Sequence, residues 1–169
     1  MPEKISELKL PQGSARLALR LPIWLFHAHL GWILGTRFVL LTHTGRKSGL
    51  PRKNVLEVVR YDRGTGACVV ASGWGAKSDW FKNISANPKI IYQVQNQSRT
   101  GIAERLSPEQ GSQELFEYAR RHRLAFRELV HFMGYRLDGS EADIRAMGRI
   151  LPMFIFKPAL LENQENQHG

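Results

Sequence analysis

Between residues 14 and 35 apolar side chains fall on both sides of a helical pattern. Leu17, Leu21, Trp24, Leu25, Ala28 and Trp32 take one side, and Leu19, Ile23, Phe26, Leu30 and Ile33 the other, which predicts a helix covered on both sides. Two covers stand open: the rest of the domain or a dimer partner, which is preferred because amphipathic polarity is weak, and a lipid interface. In the second, Arg16 and Arg20 meet headgroups and Trp24 and Trp32 the boundary. The apolar stretch 21–34 is shorter than the roughly 20 residues a bilayer span requires, and His27 and His29 interrupt it. After Gly35 the pattern changes to short runs rich in β-branched residues at 37–43, 52–61, 67–72, 89–95 and 99–106, with a last one at 151–156; these predict strands. Asp-Arg-Gly-Thr-Gly at 62–66 and Asn-Gln-Ser at 96–98 are turn material, so successive strands are expected to pair as antiparallel hairpins and curl into a barrel.

Helical signals separate the strands. A short helix at 77–86, capped by Ser78 and stopped by Asn87-Pro88, presents Trp80 and Ile84 on one face. Ser107-Pro108 opens another that runs to His122. Further helices are expected at 123–133 and 141–149, and the polar tail from Glu162 is expected to fray.

The length of 169 residues suits a single domain with a real core. A net charge of +9, from 24 Lys and Arg against 15 Asp and Glu, biases encounters toward anions without naming one. No nucleic-acid docking motif accompanies the charge, so no nucleic-acid partner is expected. The single cysteine, Cys68, excludes an internal disulfide and reads as a small core residue. The N-terminus lacks the basic-then-apolar order of a signal peptide, which predicts a cytoplasmic protein, either free or peripheral on the inner face of the membrane.

Two stretches carry candidate chemistry. Thr42 to Asn54 reads Thr-His-Thr-Gly-Arg-Lys-Ser-Gly-Leu-Pro-Arg-Lys-Asn between two apolar runs, with Gly45 and Gly49 free to adopt positive φ, hydroxyls at Thr44 and Ser48, and four cations at Arg46, Lys47, Arg52 and Lys53. That composition suits a phosphate or carboxylate; the plain alternative is a polar hairpin with solvated cations. The run after it favours a strand, whereas a P-loop leads into a helix, so triphosphate binding is not expected. In the second stretch, 71–83, a strand ends in Gly73-Trp74-Gly75 and enters the helix near Lys77. The glycines let backbone N–H groups approach a ligand, and the helix N-terminus favours an anion. Trp74 or Trp80 offers a flat wall to an aromatic ring, with Trp80 as plain core the competing reading. Both loops can face one cleft of a small barrel. His27-x-His29 lacks a third ligand, and no metal is expected. Arg120-Arg-His-Arg123 reads as a solvated helix face, with an acidic cofactor tail or lipid as the alternative. Glu57 reads as outward-facing on its strand, or else as a buried carboxylate.

Taken in order, Thr-Gly-Arg-Lys-Ser-Gly-Leu-Pro-Arg (44–52), the following Val-Leu-Glu-Val-Val, Ala-Ser-Gly-Trp-Gly (71–75), Trp-Phe-Lys-Asn (80–83) and Ala-Asn-Pro (86–88) resemble the deazaflavin-dependent nitroreductase family. The likeness is detailed over about 38–106 and extends in outline to the last strand. It implies an α+β split β-barrel that binds the deazaflavin coenzyme F420, with FMN as the alternative cofactor. The implied division is a helical extension at 1–35, a cofactor-binding barrel at 36–160 and a disordered tail at 161–169. The resemblance assigns Arg46, Lys47, Ser48 and Arg52, with Lys53 beside them, to the coenzyme's phosphate and acidic tail. Asn54, Val55, Ala71, Ser72 and Gly73 would line the ring, next to Trp74, Gly75 and Lys77, while Trp80 and Asn83 close the pocket. Some relatives carry a lysine where Gly73 stands and a tyrosine cluster in the C-terminal helices; here only Tyr118 and Tyr135 are present. The implied activity is hydride transfer from the reduced coenzyme to a quinone, activated alkene or nitroaromatic, the coenzyme doing the chemistry without a catalytic side chain. The rival reading is a carrier that holds flavin, haem or lipid in the same barrel. A homodimer and peripheral membrane contact through the N-terminal helix are the further partners considered.

Overall fold

The computed structural model describes residues 1–5 and 21–159. Its strands are β1 (Glu3–Lys4), β2 (Phe38–Thr44), β3 (Pro51–Tyr61), β4 (Cys68–Ala71), β5 (Lys89–Val94), β6 (Gln97–Arg105), β7 (Tyr135–Arg136) and β8 (Met153–Pro158). Six of them close into an antiparallel barrel in the order β2-β3-β4-β8-β6-β5. The α+β barrel expected from the pattern is therefore present. Closure leaves no unpaired barrel edge, and the alternating residues Val39, Leu41, Val70, Tyr92, Val94 and Phe156 fill the interior. Its pairing departs from a simple run of hairpins in one respect. The pairs β2–β3, β3–β4 and β5–β6 are hairpins, but β4 pairs with β8 and β5 returns to β2. The reason is α2 (Asp79–Ala86), which lies between β4 and β5 in the chain and sends β5 to the far side of β2. Closure by β8 needs Gly101: a Cβ there would stand 2.4 Å from the Lys157 carbonyl oxygen and 2.8 Å from the Tyr92 ring.

The outer face of β3, β4 and β8 is apolar too, because helices cover it. Val59, Val69 and Met153 pack with Leu115, Tyr118, Phe126, Val130 and Met147 of α3 (Pro108–Arg121), α4 (Arg123–Phe132) and α5 (Glu141–Ile150). A bulge between Val58 and Arg60 makes this possible, since it turns Val59 and Arg60 toward the helices where strict alternation would face one of them inward. Arg60 then grips Glu114 of α3 with bonds of 2.8 to 3.0 Å. Helix α3 starts in a full capping box, with Ser107 Oγ accepting from Gln110 N and Gln110 Oε1 accepting from Ser107 N. Glu57 faces outward on β3 as expected, yet α3 covers it: its carboxylate accepts a 2.8 Å bond from the Tyr118 hydroxyl. Burial and that bond push the Tyr118 phenol above its ordinary range. Cys68 is fully buried, which raises its thiol to about 12 and makes it core as expected.

The short β1–β7 ribbon, invisible in the hydrophobic pattern, brings the terminal amino group within 2.6 Å of Asp143. At the other end of the N-terminal segment one expectation changes. The continuous helix expected to Gly35 is instead α1 (Leu21–His27), a break with His29 at φ 58, and a 3₁₀ turn Gly31–Leu34. Phe26 is buried against Gly31, but Trp24, Trp32 and Ile33 are 70%, 60% and 55% exposed, so the described residues do not cover both sides. The helical turns expected at 14–20, with Arg16 and Arg20, and the tail at 161–169 lie outside the described residues. Among the described residues no helix is long and apolar enough to cross a membrane.

Candidate functional site

Of the two glycines in the loop joining β2 to β3, only Gly49 adopts the positive φ that both could take. Gly45 N donates to the Leu50 carbonyl at 2.9 Å, Gly49 N donates to the Gly45 carbonyl at 2.8 Å, and Gly49 sits at φ 68. A Cβ on Gly45 would lie 2.7 Å from Ser48 Oγ and 3.3 Å from the Leu50 carbonyl oxygen, so a side chain there would have to displace the Ser48 hydroxyl. Lys47, Ser48, Arg52 and Lys53 are exposed, and among the described residues no carboxylate lies within ion-pair distance of the three cations. The following segment is the strand β3, so a P-loop is excluded.

Arg46 ties this loop to α2. Its backbone N and its Nη1 both donate to Asn83 Oδ1, at 3.1 and 2.9 Å, and Nη1 also reaches Asp79 Oδ1 at 3.1 Å. Asp79 is 83% exposed, so that last contact contributes little and an incoming anion can replace it. Asn83 is 5% exposed and passes the connection inward, its Nδ2 lying 3.2 Å from His43 Nδ1, while His43 Nε2 lies 2.9 Å from Asn54 Oδ1. An Asn83 amide that accepts twice from Arg46 must donate to His43, which leaves His43 Nε2–H to donate to Asn54. Every bond is satisfied by a neutral ring. Burial holds the His43 pKa below 6.5, opposed by the Asn54 bond and by Asp79 and helped by Arg52.

His43 is the site residue that the motifs passed over. Its signal is in the alternation: Val39, Leu41 and His43 share the inward face of β2, and a polar residue ends an apolar row. The same parity separates two residues expected to line one ring. The Asn54 side chain points inward to His43, whereas Val55 lies on the outer face of β3, so only one of them can meet a given ligand through its side chain.

The second loop converges on the same helix. Ser72 is 1% exposed; its Oγ donates to the Gly75 carbonyl at 2.7 Å and lies 3.0 Å from Ser78 Oγ. Its backbone N donates to the Pro152 carbonyl at 2.9 Å. Ser72 therefore shapes the loop, with its hydroxyl and its backbone N–H both engaged within the protein. Ser78 stands at the N-cap of α2 as expected, but its hydroxyl bonds back to Gly75 and does not cap the helix. Gly75, at φ 60, faces open space, with nothing within 4 Å of where a Cβ would stand, and a Cβ on Gly73 would rest 3.5 Å from Met133 at the end of α4. Ala71 lies on the helix-covered face of β4. Trp74 is half-buried and Lys77 exposed. Trp80 is 5% exposed and edge-packed on Phe81 and Phe154 at 6.3 and 6.1 Å, which makes it core rather than a wall open to a ligand. Loops 45–53 and 72–77 are thus joined through α2, one by Arg46 and the other by Ser78. Among the described residues no group of three or more His, Cys, Asp or Glu is placed to hold a metal.

The buried histidine predicts a pH effect. With its folded pKa below the unfolded 6.5, the unfolded chain binds more protons as pH falls below 6.5, so stability contributed by this site is present above that value and declines below it. Melting temperatures from pH 7.5 to 5 should drop less steeply in His43→Gln than in the parent chain, although the variant starts lower by about 1–3 kcal/mol for partners left unsatisfied. Parallel pH curves would show that His43 is not the titrating group.

A family model described as F420H(2)-dependent quinone reductase matches residues 27–130. Solved structures with a similar fold include one described as a domain-swapped dimer, 23% identical over 74% of this chain and 83% of that one, with a TM-score of 0.50. Another is the conserved hypothetical protein Rv2991 from Mycobacterium tuberculosis, 16% identical over 84% of this chain and 91% of that one, also at 0.50. A third, described as F420-H2 dependent reductase (FDR-A), is 22% identical over 72% and 94%, at 0.49. At these identities the structural likeness is one of fold.

Proposed function

We propose, from the premise that this chain belongs to the F420H(2)-dependent quinone reductase family, that loops 45–53 and 72–77 hold the coenzyme and that a quinone is the preferred hydride acceptor. The chain is an F420-dependent oxidoreductase; FMN is not supported as its cofactor. The observation that carries the site assignment is the Arg46 bridge to Asn83, which binds the cationic loop to the helix that also anchors the Gly-Trp-Gly loop. The donor set fits an anionic coenzyme tail: Lys47, Arg52 and Lys53 are exposed cations without a carboxylate partner among the described residues, and the Arg46 guanidinium is pre-aimed by Asn83.

When bound, the reduced coenzyme supplies the hydride. The chain's residues supply position and electrostatics. Arg46, Lys47, Ser48, Arg52 and Lys53 neutralise and orient the anionic end; the backbone around Gly73, Trp74 and Gly75, with Val55, flanks the ring. Asn54 and Asn83 act through His43 to keep the two loops in register, and Trp80 supports α2 from within the barrel. The filled interior also speaks against the carrier reading, which needs an open barrel for haem or lipid.

The test is to titrate the full chain with F420 and then follow oxidation of the reduced coenzyme with a quinone, an activated alkene and a nitroaromatic. Binding should weaken as salt rises, because exposed cations carry it, and turnover should be fastest with the quinone. Tight coenzyme binding with no turnover of any of the three acceptors would remove the acceptor assignment; absent or salt-insensitive binding would remove the site. For quaternary structure we propose that exposed Trp24, Trp32 and Ile33 form a seam between two copies, in keeping with the dimeric fold relative. Trp24→Ser/Trp32→Ser should then sediment as a monomer where the parent sediments as a dimer. A monomeric parent that binds anionic vesicles through these residues would assign them to a membrane.

A further inference from the structure

Away from both loops, a cavity of about 760 Å³ opens among α3, α4, α5 and β7. None of its lining residues belongs to the loops or to α2, and the β7 and α5 side of it lies beyond the span that matches the family. Its volume falls in the range of small-molecule sites. Its chemistry is two-sided. Phe126, Val130, Leu137 and Ile144 give it an apolar floor, with Phe126 and Val130 8% and 4% exposed. Arg120, Arg123, Arg127 and Arg136 stand around it, against the two carboxylates Asp138 and Glu141.

Those carboxylates are already engaged. Asp138 accepts from Ser140 N at 2.8 Å, and its bonds at Ser140 hold it below the usual carboxylate range. Glu141 binds Arg145 at 2.6 Å. Arg120 leans on Glu117 at 3.7 Å, whereas Arg123, Arg127 and Arg136 have no carboxylate in ion-pair distance among the described residues. Arg123, Arg127 and Val130 follow one another at helical spacings of four and three, so one face of α4 presents two cations beside an apolar position. A solvated helix face explains the arginines but not the apolar cavity beneath them. An inorganic anion would leave that floor wet, and a neutral apolar ligand would leave the cations unused.

We propose that this cavity is a second binding site, for a carboxylate carried on an extended apolar body, with the body on the Phe126–Val130–Ile144 floor and the head between Arg123 and Arg127. The coenzyme site is not required for it. Calorimetry on the full chain with dodecanoate, below its micelle concentration, should show one site per chain. Dodecylammonium and dodecanol should bind at least tenfold more weakly. Arg123→Gln/Arg127→Gln should lose at least tenfold, while Arg63→Gln/Arg149→Gln, which removes the same charge from exposed positions elsewhere, should stay within twofold. Bound dodecanoate should leave F420 affinity unchanged within twofold. Equal binding of the cationic amphiphile, equal losses in both double variants, or binding of many molecules per chain would overturn the proposal. Displacement of dodecanoate by F420 would overturn the claim of a separate site, whereas failure to bind F420 at all would count only against the coenzyme assignment.

Discussion

Arg46→Ala should weaken F420 binding about ten- to a hundredfold while leaving the fold almost untouched. Among the loop's cations, the described hydrogen bonds hold only this guanidinium, with Asn83 Oδ1 2.9 Å from Nη1, so its orientation is restricted before any ligand arrives. A charge-assisted hydrogen bond of this kind is worth about 1.5–3 kcal/mol, and each 1.4 kcal/mol is about tenfold in affinity. Loop anchorage survives because the Arg46 backbone N–H, which the substitution keeps, also donates to Asn83. Arg46→Lys should recover only part of the loss, since a lysine keeps the charge but not the fork. Arg52→Ala should weaken binding too, by less, because nothing among the described residues pre-aims its exposed side chain. Calorimetric titration at fixed salt, with melting curves as the folding control, decides the matter: an unchanged affinity in Arg46→Ala would place the coenzyme elsewhere.

Gly148→Ala should be the most destabilising conservative change in the helical layer. An alanine normally improves a helix interior by about 1 kcal/mol over glycine. Here the new Cβ would stand 2.6 Å from Ser112 Cα and 2.7 Å from the Gly111 carbonyl oxygen, both backbone atoms of α3 that cannot swing aside. Separating α3 from α5 would loosen Leu115 and Met147 from the outer face of the barrel. We expect a net loss of about 2–3 kcal/mol, at the upper end of overpacking costs, and a melting temperature lower by about 4–12 °C for a domain of this size. F420 affinity measured well below the transition should not change, because among the described residues no hydrogen bond or ion pair joins either helix to residues 45–53. A variant that melted at or above the parent temperature would mean that the helix crossing is looser than the geometry states.

Several features followed from the order of residues alone. Alternation and turn residues located each barrel strand to within a few positions, since inward side chains must be apolar wherever one face of a sheet is buried. Gly49, at positive φ, and the cations around it marked the loop, because a left-handed turn position and clustered charge leave local signatures, whereas Gly45 adopts no positive φ. The ordered motifs pointed to the family because they record the loop-helix-loop arrangement piece by piece. Partner choice was not local. Whether β4 meets β5 or β8 depends on where α2 carries the chain, and only closure of the barrel selects β8. The Val58–Arg60 bulge and the Gly148 crossing likewise arise from contacts between distant segments. Trp80 illustrates the limit: helical spacing placed it beside Ile84, but whether that face met a ligand or the core was decided by Phe81 and Phe154. His43 shows the converse. Its inward position was readable from Val39 and Leu41, yet its role as the buried link between Asn54 and Asn83 exists only because strand and helix, 40 residues apart, are brought within hydrogen-bond distance by the fold.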